Sequence, residues 1–176
     1  ILNGSHTGMV PVALQLGCAT VMDAFNTPEV EKFINKLVSE ETLPVIDEDP
    51  EELKKFASKI LERFYNPYLK HYLKDISLNS LSKWETRNFP TVKDNFTKLN
   101  KNARLNTFSF AALLVLYSGK SAVEFTPNDT PEFVAFIQTT FDSNHIQDWV
   151  EGVVKNKKIW KEDFSVSPYF IDEVAA

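Results

Sequence analysis

The chain has 176 residues, 43% hydrophobic and 24% charged, with a formal net charge of −5. Those are the proportions of an ordinary globular domain able to bury roughly 70% of its unfolded surface. An acidic chain is a poor fit to a phosphate-backbone binder, which gathers Lys and Arg on one face. The lysines that cluster (Lys98 and Lys101; Lys155, Lys157, Lys158 and Lys161) read as solvated helix faces, so no nucleic-acid partner is expected. Cys18 is the one cysteine, which excludes an internal disulfide and points to a reducing, cytoplasmic setting. The longest apolar run, Phe108–Tyr117, is too short to span a bilayer. The opening Ile1-Leu2-Asn3-Gly4 resembles no signal peptide and lacks an initiator Met, so the chain is expected to be part of something longer.

In chain order, Asn3-Gly4-Ser5-His6-Thr7-Gly8 comes first. If a helix begins before Asn3, then Asn3 and His6, three residues apart, share a face and present an amide beside an imidazole. The alternative is a helix N-terminus where Asn, Ser and Thr cap and His6 is incidental. On the residues alone, the plainer alternative carries more weight.

Proline then marks the helix starts. Thr27-Pro28, Asp49-Pro50, Asn66-Pro67, Thr130-Pro131 and Ser167-Pro168 each set a capping side chain before a residue suited to the first helical position. Glu52, three residues after Asp49, comes close to a reciprocal capping box. Helical period follows: Val30, Phe33, Ile34, Leu37 and Val38; then Leu53, Phe56, Ala57, Ile60, Leu61 and Phe64; then Leu69, Tyr72, Leu73 and Ile76. The small polar residues from Asn79 to Ser82 interrupt this pattern and predict a loop lining a cleft. Lys70, His71 if protonated, Lys83 and Arg87 stand near it and could hold an anion. On the residues alone the plainer reading again carries more weight, with Lys70 and Lys74 a solvated face and Asn66 a plain cap.

Phe108–Tyr117 is apolar nearly all round and predicts a central buried helix, stopped by Ser118-Gly119. Residues 121–129 predict the longest loop. Phe133, Val134, Phe136, Ile137 and Phe141 predict the next helix; Ile146, Trp149, Val150, Val153 and Val154 predict another, and a short one is expected after Pro168. The fold class is therefore all-α, one domain of about eight helices over residues 1–176. Gly4, Gly8, Gly17, Gly119 and Gly152 form no G-x-G-x-x-G fingerprint, so no dinucleotide-binding domain is expected within the chain. His6, His71 and His145 lack metal-ligand spacing, and no nucleophile elbow occurs.

Two stretches together resemble the mannitol dehydrogenase family of polyol-specific long-chain dehydrogenases. Asn3 and His6 have the separation of the Asn and His in that family's Lys-x4-Asn-x2-His motif, whose lysine would fall three residues before Ile1. Arg63-Phe64-x-Asn66-Pro67 with Ser82-Lys83 downstream is similar to a second family stretch. Asn66-Pro67-Tyr68, Lys70-His71, Leu78-Asn79, Lys83 and Thr86-Arg87 are most similar to the family's tagaturonate reductase (altronate oxidoreductase) branch. One position departs from the polyol-oxidising relatives: Asp75 stands where they carry an arginine, eight positions before Lys83.

The resemblance implies a substrate-binding domain of an NAD-dependent oxidoreductase, inactive alone, with a separate N-terminal Rossmann-type domain holding NAD and no metal. It implies Asn3 and His6 as catalytic groups, and Lys83, His71, Lys70, Asn79 and Arg87 as contacts for a sugar-acid substrate. Alternatives are a fructuronate reductase or mannitol-type dehydrogenase, or a non-catalytic helical interaction module.

Overall fold

The computed structural model describes residues 1–65, 70–164 and 167–176, and these form eleven α-helices with no strand among them. They are α1 (Leu2–Gln15), α2 (Val21–Phe25), α3 (Pro28–Lys36), α4 (Pro50–Phe64), α5 (Leu73–Ile76) and α6 (Ser80–Arg87). The remainder are α7 (Phe89–Leu99), α8 (Arg104–Tyr117), α9 (Pro131–Thr140), α10 (Ile146–Val154) and α11 (Phe170–Ala175). The all-α expectation holds. About eight helices were expected; α2, α6 and α7 had no predicted stripe, and α5 keeps only Leu73–Ile76 of the helix read after Pro67, with residues 70–72 outside it.

The proline signals place α3, α4 and α9 where expected, but they do not all work through a side-chain cap. Asp49 accepts from the amides of Glu51 and Glu52 at 3.1 and 2.9 Å. Glu52 itself turns to Lys55 at 2.9 Å, and the reciprocal box occurs instead at Thr20 and Asp23. Thr27 and Thr130 give no cap bond; the Thr27 hydroxyl donates back to the Asp23 carbonyl at 2.9 Å. After Pro168 the chain makes a turn first, and α11 begins at Phe170. The Asn66-Pro67 signal lies outside the described residues.

Two buried clusters form the core, and α1 and α8 pack together between them. One joins Met9, Val10 and Ala13 of α1 to α2, α3, Ile60 and Phe64 of α4, and Leu73 of α5. The other joins α6 to α11 around Trp84, Phe89, Phe110, Phe164 and Phe170. Ring centroids of Phe89 and Phe164 lie 4.1 Å apart and those of Trp84 and Phe110 4.4 Å, pairs that each add about 0.5–1.5 kcal/mol beyond area burial.

α8 is the central helix expected, although Phe108 and Val115 reach the surface. The α4 stripe is narrower than its sequence suggests: Ala57, Ile60 and Phe64 are buried while Phe56 is 58% exposed. The long loop over 121–129 is present. Among the described residues no helix is long and apolar enough to cross a membrane.

Candidate functional site

The first turn of α1 decides the geometry of Asn3 and His6. The amide and hydroxyl of Ser5 both donate to the Ile1 carbonyl, at 2.9 and 2.8 Å, so the helix is under way before Asn3. Asn3 and His6 are thus stacked one turn apart on α1. Asn3 is exposed and His6 half-buried.

The His6 ring lies against Phe64, at the end of α4, with centroids 4.3 Å apart. It meets His71 edge-on at 6.4 Å. Burial, and then the positive charge offered by His71 and Arg87, lower its pKa from 6.5 to about 4. At neutral pH the ring therefore has one N–H and one free lone pair. Its Nε2 is buried with no hydrogen-bond partner among the described residues, an exception that calls for a ligand or a purpose.

The segment carrying His71 is pinned by its backbone. The Val21 amide donates to the His71 carbonyl at 2.9 Å and the Leu73 amide to the Ala19 carbonyl at 2.9 Å, around an antiparallel bridge between Thr20 and Tyr72. These bonds leave the His71 side chain exposed, next to His6. Lys70, also exposed, has no described contact with the other candidates.

Helix α6 brings Lys83 and Arg87 onto one face, four residues apart. Lys83 Nζ donates to the Ile76 carbonyl at 3.0 Å; burial and the Arg87 charge lower its pKa, against the opposing pull of Asp129. Arg87 Nη1 donates to the Thr7 hydroxyl at 3.2 Å, which ties the end of α6 to α1 beside His6.

The expected loop over Asn79–Ser82 is not there. Only Asn79 stays outside the helix, with left-handed backbone at φ 53°, and Ser80 begins α6. The small polar residues are absorbed by hydroxyl bonds back to the preceding turn. Ser80 Oγ donates to the Ser77 carbonyl at 2.6 Å and Ser82 Oγ to that of Asn79 at 3.2 Å. From the long loop, Asp129 accepts from the Leu81 amide at 3.1 Å and the Tyr117 hydroxyl at 2.9 Å. Asn79 lies at the opposite end of α6 from Arg87 and is exposed, its amide bonded to the Asn128 carbonyl at 2.9 Å.

The fold thus gathers His6, His71 and Arg87, with Lys83 one turn from Arg87, and sets Asn3 one turn before His6. Asn79 and Lys70 stand outside the contacts described. Sequence reasoning missed Thr7, Asn88 and Asp129, which hold this arrangement. A buried Asn at a helix junction, as Asn88 is, leaves little trace in sequence beyond the Asn-Phe-Pro of a helix start. His145 pairs with Asp142 at 2.8 Å on the surface and belongs to no such cluster.

Comparison with known proteins gives a consistent account. The whole chain, residues 1–176, matches the family described as Mannitol dehydrogenase C-terminal domain. It is 38% identical over 177 residues to the altronate oxidoreductase of Bacillus subtilis, a match covering 99% of this chain and 36% of that protein. It is 36% identical over 182 residues to the altronate oxidoreductase of Klebsiella pneumoniae, covering all of this chain and 38% of the relative. The chain therefore spans little more than a third of the length of these relatives.

Among solved structures, Pseudomonas fluorescens mannitol 2-dehydrogenase in ternary complex with NAD and D-mannitol superposes with a TM-score of 0.84. It shares 18% identity, over 99% of this chain and 35% of that one. A substrate-free D-sorbitol dehydrogenase superposes with a TM-score of 0.77 at 14% identity, over 99% of this chain and 36% of that one. At such identities these two establish a shared fold.

Proposed function

The chain belongs to the mannitol dehydrogenase C-terminal domain family, and we propose that it is the substrate-binding side of a cytoplasmic, NAD-dependent tagaturonate reductase (altronate oxidoreductase). The observation that carries this reading is the buried, unpartnered Nε2 of neutral His6, set beside the Arg87 guanidinium. A substrate hydroxyl would complete the imidazole, and a sugar-acid carboxylate would complete the cation. The names of the relatives agree with a sugar acid rather than a plain polyol. Asp75, which stands where the polyol-oxidising branch carries an arginine, removes a contact that a mannitol-type substrate would use, and the sugar-acid carboxylate is left to Lys70, His71, Lys83 and Arg87.

In this reading Asn3 donates from its amide to the substrate oxygen that gains negative charge as the carbonyl is reduced. His6 holds the reacting or adjacent hydroxyl, and Lys83, Arg87 and His71 receive the anionic end, with Lys70 and Asn79 kept as further substrate contacts on the family resemblance alone. The proton would be exchanged by the lysine that the family motif puts three residues before Ile1. The described residues contain no strand and so no βαβ cradle for a dinucleotide. NAD, which supplies or takes the hydride, is therefore assigned to the remainder of the complete enzyme, a Rossmann-type domain.

Assays of the complete enzyme with NADH and tagaturonate, fructuronate or fructose test the assignment. The highest kcat/KM should fall on tagaturonate. Preference for fructose would sink the sugar-acid reading, and preference for fructuronate would move the protein to the sister activity. Calorimetric titration of the 176-residue chain with NADH should show no stoichiometric binding. A clear binding isotherm would return the cofactor site to these helices.

A further inference from the structure

Between Asn3 and His6 lies the carbonyl of Gly4, and that carbonyl is held from outside its own helix. Asn88, at the junction of α6 and α7, donates from Nδ2 to the Gly4 oxygen at 3.1 Å and to Asn106 Oδ1 at 2.9 Å. Asn106 Nδ2 donates in turn to Glu41 at 2.8 Å. The Glu41 carboxylate also accepts the amides of Leu105 and Asn106, at 2.6 and 2.9 Å, in the first turn of α8. All three side chains are buried: Glu41 is 6% exposed, Asn88 2% and Asn106 0%.

The direction of this chain of bonds is fixed at one end. An ionised carboxylate can only accept, so Asn106 must turn its NH2 to Glu41 and its oxygen to Asn88. Asn88 must then offer its NH2 to both Asn106 and Gly4, which leaves Asn88 Oδ1 buried without a partner. An asparagine placed only to satisfy buried groups would not leave its own acceptor unpaired.

The receiving face of α1 is shaped for this approach. A Cβ at Gly8 would stand 3.0 Å from Asn88 Nδ2, and one at Gly4 would stand 3.3 Å from the Arg87 carbonyl. Two glycines one turn apart thus let the Arg87-Asn88 corner sit directly on the α1 backbone, flanking His6.

We propose that Asn88, oriented by Asn106 and Glu41, is a positioning residue for the Asn3–His6 pair. By fixing the Gly4 carbonyl, it sets where the Asn3 amide and the His6 ring stand relative to the α6 cations. The inference rests on the reading of Asn3 and His6 as catalytic groups.

The test uses Asn88→Ala in the complete enzyme, with Asn88→Ser as a second variant whose hydroxyl keeps one donor should the alanine protein fail to fold. Displaced catalytic groups should lower kcat for tagaturonate by about tenfold to a hundredfold with KM little changed. The His6 NMR titration midpoint should move from about 4 towards 6.5 as the ring loosens from its seat. The serine variant should lie between alanine and wild type on both readouts. A folded variant with a lower melting temperature but wild-type kcat and an unmoved His6 midpoint would reduce Asn88 to a structural part and overturn the proposal. If the wild-type enzyme reduces no hexuronate or keto sugar, the functional reading fails on its own. The His6 midpoint then decides the positioning role alone, a shift supporting it and an unchanged value ending it.

Discussion

Arg87 Nη1 lies 3.2 Å from the Thr7 hydroxyl, which fixes a guanidinium at the turn of α1 that carries His6. Among the described residues Arg87 has no carboxylate partner. A cation held by a neutral hydroxyl keeps most of its field for whatever enters the space beside it. The same field disfavours a second positive charge, and it joins burial and His71 in keeping His6 neutral. In the proposed reading one residue thereby serves two ends, attracting the substrate's anionic group and keeping a lone pair available on the imidazole.

The first prediction concerns pH. The His6 pKa is lowered in the folded protein to about 4, below the ordinary 6.5. Its contribution to stability is therefore present above pH 6.5 and is lost as pH falls from there through about 4, because the unfolded chain takes up the proton first. His145 goes the other way: its bond to Asp142 raises its pKa. NMR should show His145 titrating above 6.5 and His6 titrating well after it on acidification, at about 4. A His6 midpoint near 6.5 would mean that the ring is solvated and its Nε2 has water for a partner.

Arg87→Ala separates recognition from chemistry. Removing a charge-assisted contact of roughly 1.5–3 kcal/mol should raise KM for a sugar acid by about ten- to a hundredfold. For an uncharged keto sugar KM should change little. The His6 midpoint should rise, since one of its opposing charges is gone. Equal losses on charged and uncharged substrates would show that Arg87 supports the fold and not the carboxylate.

A third prediction concerns Glu41, which lies far along the buried chain of amides. Burial raises its pKa, while its three accepted hydrogen bonds pull the other way. A raised folded value means that its contribution to stability is present at low pH and is lost as pH rises through that value. Glu41→Gln would put its NH2 against either the Leu105 amide or the two Asn106 donors, leaving donors unpaired on that side, and should destabilise the protein by about 1–3 kcal/mol near neutral pH. The deficit should widen towards low pH, where wild-type Glu41 gains the stability of its protonated form and the glutamine does not titrate. Denaturant titrations at pH 7 and pH 4.5 measure both; a variant as stable as wild type at pH 7 would remove Glu41 from the network.

The helices with strong apolar period were legible in the sequence. Pro28, Pro50 and Pro131 open helices as read, and the Phe108–Tyr117 run lies in the central α8. What escaped was structure decided at a distance. The Asn79–Ser82 stretch looks like a loop because Ser and Asn compete for backbone bonds, yet Asp129, some 48 residues away, caps Leu81 and lets the helix form. For the site, the spacing of Asn3 and His6 offered two readings, and only resemblance favoured one. That Arg87 reaches Thr7, Asn88 reaches the Gly4 carbonyl and Phe64 meets the His6 ring depends on how α1, α4 and α6 cross, which no local pattern states.

The last prediction is that Asn3→Ala leaves the fold untouched and slows the reaction. Asn3 is exposed in the first turn of α1, and its side chain makes no hydrogen bond among the described residues. Alanine also has the higher helix propensity, by roughly 0.5 kcal/mol, so the variant should be no less stable than wild type. A loss of activity could not then be blamed on unfolding. If the Asn3 amide donates to an oxygen that becomes charged only in the transition state, kcat should fall about a hundredfold or more while substrate affinity hardly changes. The measurement is steady-state kinetics of the complete enzyme with tagaturonate and NADH, alongside thermal melting of the same preparation. A variant that binds substrate weakly yet keeps its turnover would place Asn3 among the groups that merely hold the ground state, and the reacting oxygen would have to be sought elsewhere along α1.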